Sequence, residues 1–299
     1  MVALSAQASA PALWTTALAR HFGGGAVGTG CLSGSAPAPA AAAGFNCLVF
    51  ADGPFTAGEI DTAHTGNAGF RWYPYWHPWT NAPTATSIST LVPDPVYNTD
   101  YSIDGSGNLD LTPSVDQFSN QLAIQSCVVN GSTWRGTTFT GPRYWKVTAT
   151  WQDNGYTSGQ GEAISWSEPV EMLTAGANAT LQWIESDLVE PHFSGGNMNA
   201  WTISTPGGGQ SSTLGSISQI LTSGTPYGWL LATGGSLTFY ANDTTATTQP
   251  FPAGYSDWSL WSSEHQCLWL GAAPAANNGN MIIERIEVWC ANTSCMVQQ

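Results

Sequence analysis

The sequence predicts an all-β sandwich of two antiparallel sheets. Three observations carry that prediction. From Phe45 onward the chain is a succession of short alternating runs separated by turn residues. Charged residues make up only 9% of it, and the polar positions are filled by Thr, Ser, Asn and Gly. Those residues suit strands and turns, whereas solvent-facing helices usually draw on Glu, Lys and Arg. No long helical pattern is found beyond residue 45.

Residues 1–44 are rich in Ala, Gly, Ser and Pro and end in SAPAPAAAAG, so they are expected to form an arm, a linker or a short helix followed by a loop. Residues 45–299 are expected to form one β-sandwich domain, because no internal repeat and no second composition break divides them. The clearest strands are RYWKVTATW and MIIERIEVWC. In the first, Tyr144, Lys146, Thr148 and Thr150 alternate with Trp145, Val147, Ala149 and Trp151, the period of a strand with one apolar face. In the second, Ile283, Arg285, Glu287 and Trp289 alternate with Ile282, Glu284, Ile286 and Val288. Other runs, such as NCLVFAD, QLAIQSCVV, EAISWS, SLTFYAND and CLWLGA, complete two sheets.

The formal net charge is −14, with Lys146 the only lysine, which excludes nucleic acid as a partner because phosphate neutralisation needs clustered Lys and Arg. The same repulsion disfavours anionic polysaccharides and leaves a neutral glycan. No apolar run is long enough to span a bilayer, so no membrane partner is expected. The six cysteines, Cys31, Cys47, Cys127, Cys267, Cys290 and Cys295, form no CxxC or zinc-finger spacing. An even, scattered set suits disulfides and an extracellular setting, with Cys290–Cys295 the expected local bridge and the other pairings open. Sequons at Asn130, Asn178, Asn242 and Asn292 fit secretion. No cofactor is expected, and a structural Ca2+ is the one ion left open.

The segment Thr180-Leu-Gln-Trp-Ile-Glu-Ser-Asp-Leu-Val-Glu190 carries the chemistry. On a strand, Trp183, Glu185 and Asp187 share one face, and strict alternation would put Glu190 on the other. One extra residue near Leu188-Val189, a β-bulge, would return Glu190 to the face of the other two acids. Three acids this close repel one another unless one carries a proton. Chemistry gives a reason to keep them together. A retaining glycosidase needs two carboxyl groups about 5 Å apart, one to attack the anomeric carbon and one to protonate the leaving oxygen. A middle acid can hold the nucleophile and push the outer acid's pKa upward. A calcium site or a solvated acidic edge is the other reading, though calcium usually draws on Gly- and Asn-rich loops rather than apolar strand residues.

Glu185-Ser-Asp187-Leu-Val-Glu190 resembles the E-x-D-x-x-E signature of family 16 glycoside hydrolases in its bulged, laminarinase-like form. RYWKVTATW, EAISWS, GSLTFYANDT and MIIERIEVW are similar to other strands of that family, so the resemblance runs over about residues 46–290. It implies a concanavalin-like β-jelly roll whose concave face is the substrate cleft. It also implies Glu185 as nucleophile, Asp187 as its helper and Glu190 as acid/base. Trp166 would help to hold a sugar.

Aromatic rings stack on the C–H faces of pyranoses, and this chain has 15 tryptophans. Six aromatics fall between Phe70 and Trp79, interrupted by prolines, and Trp76 stands for this cluster as a subsite platform; core packing under a long loop is the competing reading. Trp166 and Trp183 are the nearest sugar contacts to the acids, Trp145 is a further candidate, and His192 could bond a carboxylate or a sugar hydroxyl. The expected activity is a retaining endo-glycosidase, a glycoside hydrolase of a neutral β-glucan, with a polysaccharide or oligosaccharide as partner. The alternative is a non-catalytic carbohydrate-binding or surface or particle structural protein of the same fold.

Overall fold

A computed structural model of the chain describes residues 30–78, 95–112, 120–130, 133–152, 163–170, 183–189, 198–204, 210–215, 225–232, 235–249, 263–272 and 280–299. Eighteen strands fall among the described residues. They begin with β1 Cys47–Asp52, β2 Tyr73–Pro78, β3 Tyr101–Ile103, β4 Leu109–Leu111, β5 Asn120–Gln125 and β6 Cys127–Asn130. Next come β7 Thr133–Phe139, β8 Arg143–Gln152, β9 Ala163–Pro169, β10 Trp183–Val189, β11 Met198–Ser204 and β12 Gln210–Gly215. The last are β13 Thr225–Leu231, β14 Leu237–Ala241, β15 Thr244–Gln249, β16 Gln266–Ala272, β17 Asn280–Cys290 and β18 Met296–Gln298.

These strands form two antiparallel sheets. The first runs β15-β14-β13-β8-β17-β4-β3, with β1 on β17; the second runs β12-β11-β10-β9-β16-β5-β2 and continues into β7, β6 and β18. Between them lies the main core. The first sheet contributes Trp145, Val147, Trp229, Phe239, Ile283 and Val288, and the second contributes Leu122, Ile124, Phe139, Leu268 and Leu270. Alternation explains which residues these are: in β5 and β16 every second side chain meets the opposite sheet. Trp145 and Trp229 meet edge to face, with ring centroids 5.6 Å apart.

In β17 the strict alternation expected from the sequence does not hold. The register shifts between Ile283 and Arg285, and the core residues change from Met281 and Ile283 to Ile286 and Val288. The bulge keeps both apolar halves of the strand against the core. Gly53, at φ +106°, lies against the Glu284 carbonyl, where a β-carbon would collide with it.

Residues 30–44, expected within an arm, are in this part held by the sandwich. Leu32 donates its N–H to the Leu48 carbonyl at 2.8 Å, and Cys31 is bonded to Cys47. A one-turn helix, Ala38–Ala42, starts with a proline in its first turn and ends before Gly44, whose φ is +81°. Its Ala40 packs with Phe45, Leu48, Tyr144, Leu230 and Trp289 on the outer side of the first sheet. The other bridges are Cys290–Cys295, as expected, and Cys127–Cys267.

The segment joining β1 to β2 is pinned by buried charge. The Trp72 indole N–H donates to the Asp52 carboxylate, which also accepts from Gly53 N–H at 3.0 Å and pairs with Arg71 at 3.2 Å. Burial pushes the Asp52 carboxyl above its ordinary range, and Arg71 pulls against that shift. Trp72 is thereby fixed in the core and Tyr73 begins β2 on the opposite face.

Candidate active site

The acidic segment forms β10, between β9 and β11. Ser186 is paired with Ser167 and Asp187 with Trp166, but Val189 is paired with Ser165. Two steps along β10 thus match one step along β9: this is a bulge at the place the acid spacing required.

Register decides which face these positions occupy. Ser167 is paired with Leu268 and Trp166 with Trp269 on the neighbouring β16. Leu268 belongs to the main core, whereas Trp269 packs in a separate cluster on the other side of the sheet. Directly paired residues of antiparallel strands share a face. Positions 166, 185 and 187 therefore lie on the face turned away from the core. Position 183, paired with Ser204 two places before Glu185, follows them.

Register thus places positions 166, 183, 185 and 187 on two adjacent strands and on one face of the sheet. Glu190 and His192 lie outside the described residues. Trp145 is corrected: it is fully buried in the main core, on the other sheet, and no ligand can reach it there. The apolar face that marked it as a strand residue is the face the sandwich closes over. Trp76 is paired with Leu122, a core residue, so its register does not place it in the row of Asp187 and Trp166.

That row continues across the sheet as Asp187, Trp166, Trp269, Gln125 and Tyr73, each paired with the next. Beyond β9 it is buried: Trp269 is 2% exposed, Gln125 3% and Tyr73 2%. Among the described residues, the Gln125 amide oxygen has no hydrogen-bond partner. Tyr73 donates its hydroxyl to the Asn67 carbonyl at 3.0 Å, and burial, with a smaller contribution from Asp61, pushes its phenol up to about 12. Trp134 and the Cys127–Cys267 bridge pack with Trp269 and Ala123 in this covered region.

Sequence reasoning missed Trp269, Gln125 and Trp134. A signal was present in Cys267-Leu-Trp-Leu-Gly-Ala, which is apolar at every position rather than at every second one. Such a run marks a strand buried on both faces. Among the described residues, no group of three or more His, Cys, Asp or Glu side chains is arranged to hold a metal ion. No helix among them is long and apolar enough to cross a membrane.

No protein-family model and no curated protein matches the chain. Solved structures do. A structure from work on endo-acting O-glycanases of the human gut microbiota that initiate mucin breakdown aligns over 81% of this chain and 99% of its own, at 13% identity and a TM-score of 0.52. Laminarinase from Flavobacterium sp. UMI-01 aligns over 81% and 99%, at 13% identity and a TM-score of 0.51. Endo-1,3-β-glucanase from Streptomyces sioyaensis aligns over 84% and 96%, at 16% identity and a TM-score of 0.50. At these identities the likeness is one of fold. The chain has the laminarinase-like β-jelly-roll sandwich, the fold that the resemblance of its acidic strand implied.

Proposed function

We propose that this protein is an extracellular, retaining endo-glycosidase of a neutral β-glucan-type polysaccharide, working through Glu185, Asp187 and Glu190. The observation that carries the reading is the bulge after Asp187, on a strand whose positions 185 and 187 face away from the core. A strand built only for stability has little reason to place acids side by side and to interrupt its own ladder beside them. The neighbours called laminarinase and endo-1,3-β-glucanase support a β-1,3-glucan as the first substrate to try. The three disulfides support an oxidising, extracellular setting.

In this mechanism the Glu185 carboxylate attacks the anomeric carbon while Glu190 gives its proton to the departing glycosidic oxygen. A covalent glycosyl-enzyme results, and the aglycone half of the chain leaves as an alcohol. Glu190, now a carboxylate, takes a proton from water, whose oxygen displaces Glu185 from the sugar. Two inversions restore the original configuration. Asp187 orients Glu185 and disfavours a second negative charge on Glu190 while the first step proceeds. Trp166 and Trp183 supply apolar surface to the sugar rings.

The test is release of reducing ends from laminarin, lichenan and other neutral glucans by the intact protein and by Glu185→Gln. Turnover by the first and a loss of about 10³-fold or more in the second are expected. Glycan binding without turnover by the intact protein would favour the carbohydrate-binding alternative.

A further inference from the structure

We infer that the substrate groove is closed on one side: the sugar chain cannot continue across β16, and only a short stretch of it is held between the acids and that wall. The inference rests on the glycosidase reading of the acidic strand and adds how the substrate lies in it.

The row that starts at Asp187 would be the natural path for a polysaccharide, since it crosses the strands of the acid-bearing face. Trp166 is the first position along it and Trp269 the second. Trp269 is 2% exposed, and no sugar ring can stack on an indole without reaching it. The closure is broad. Cys267, Gly271, Ala123, Gln125 and Tyr73, all on this face of β16, β5 and β2, are buried as well.

Among the described residues, the chain leaving its own sheet contributes to the cover. After Gln125, Ser126 donates its N–H to the Leu268 carbonyl, and its hydroxyl donates to the Thr137 carbonyl while accepting from Leu268 N–H. At this buried corner β5 ends and the hairpin of β6 and β7 begins. The hairpin carries Cys127 and Trp134 into the cluster with Ala123, Cys267 and Trp269, and the disulfide fastens it to β16. Gly136 lies against the Tyr73 ring, so close that a β-carbon would meet its Cε2 at 2.8 Å. The wall is thus covalently tied and packed at both of its ends.

Asp187 and Trp269 are two strand spacings apart, about 10 Å, which leaves room for about two pyranose rings on that side of the acids. A longer chain must turn off the sheet there, so the two sides of the cut bond are unequal.

The experiment measures cleavage of end-labelled β-1,3-gluco-oligosaccharides of increasing length by the intact protein, giving kcat/KM against the number of units on each side of the bond. On one side the gain is expected to stop after about two units, while it continues on the other. Gains from a third and later unit on both sides would overturn the inference and leave the glycosidase reading standing. Absence of cleavage and of binding with every oligosaccharide would remove that reading and the inference with it. In Trp134→Ala, the third unit on the restricted side should become worth about threefold or more in kcat/KM, with melting measured alongside. A folded Trp134→Ala protein with an unchanged length profile would contradict the hairpin as the wall. The profile of the intact protein decides the matter if that variant does not fold.

Discussion

Asp187 and Trp166 are direct register partners on adjacent strands, on the face of the second sheet turned away from the core. The pair joins the proposed chemistry to the proposed binding surface. Trp166→Ala should therefore cost binding surface next to the reacting bond. A fall in kcat/KM of about 10-fold or more on glucan is expected, with melting temperature changed little by comparison. Steady-state kinetics beside a thermal melt will separate the two effects.

The disulfides should differ in what they contribute. Cys127–Cys267 spans 140 residues and Cys290–Cys295 spans 5. By loop-closure entropy, the first restrains the unfolded chain by about 5 kcal/mol and the second by about 2 kcal/mol. Denaturant unfolding of Cys127→Ala/Cys267→Ala and Cys290→Ala/Cys295→Ala should reproduce that order. A reversed order would mean that the corner at Ser126 holds without its bridge.

Tyr73 should give the protein an alkaline weakness. Its phenol is pushed up to about 12 in the folded state, whereas an unfolded tyrosine ionises near 10. Between those values the unfolded chain loses its proton first, so stability is complete below pH 10 and falls as pH rises through the window. Tyr73→Phe should flatten this fall in unfolding experiments across pH 9–12. At neutral pH it should cost about 1 kcal/mol for the lost hydrogen bond to Asn67.

On the outer side of the first sheet, Tyr144 donates its hydroxyl to Asp243 at 2.9 Å and Lys146 pairs with the same carboxylate at 2.8 Å. Asp243 sits in the two-residue turn between β14 and β15, where Asn242 and Asp243 have φ near +52° and +55°. The Tyr144 ring lies over Gly228 with no space for a β-carbon. Gly228→Ala should displace the ring, break its bond to Asp243 and cost about 2 kcal/mol, a drop in Tm of about 3 °C for a chain of this length.

Much of this was legible in the residues, for physical reasons that can be named. The period of two marked β8 and its apolar face, and the spacing of the acids required a bulge that β10 contains. The Cys290–Cys295 bridge followed from a short separation. What was not legible depends on register between distant strands. Nothing near Trp145 in sequence separates a core tryptophan from a sugar platform, because both occupy the apolar face of a strand. Trp229 is its register partner on the same sheet, and both rings are fully buried in the core that the second sheet closes over them. Likewise Trp166 and Trp269 become neighbours only once β9 and β16 are aligned. In β17, strict alternation over MIIERIEVWC missed the reset after Ile283, which shows only in the pairing with β8 and in the close approach of Gly53, distant in sequence, to the Glu284 carbonyl.

The most direct test of the central claim is the anomeric configuration of the first product, followed by proton NMR during hydrolysis of a neutral β-glucan. Two displacements at one carbon, with Glu185 as the intermediate partner, require that the β-anomer appear first and mutarotate afterwards. A product that appears first as the α-anomer would contradict the account, because it would mean a single displacement by water with no glycosyl-enzyme on Glu185.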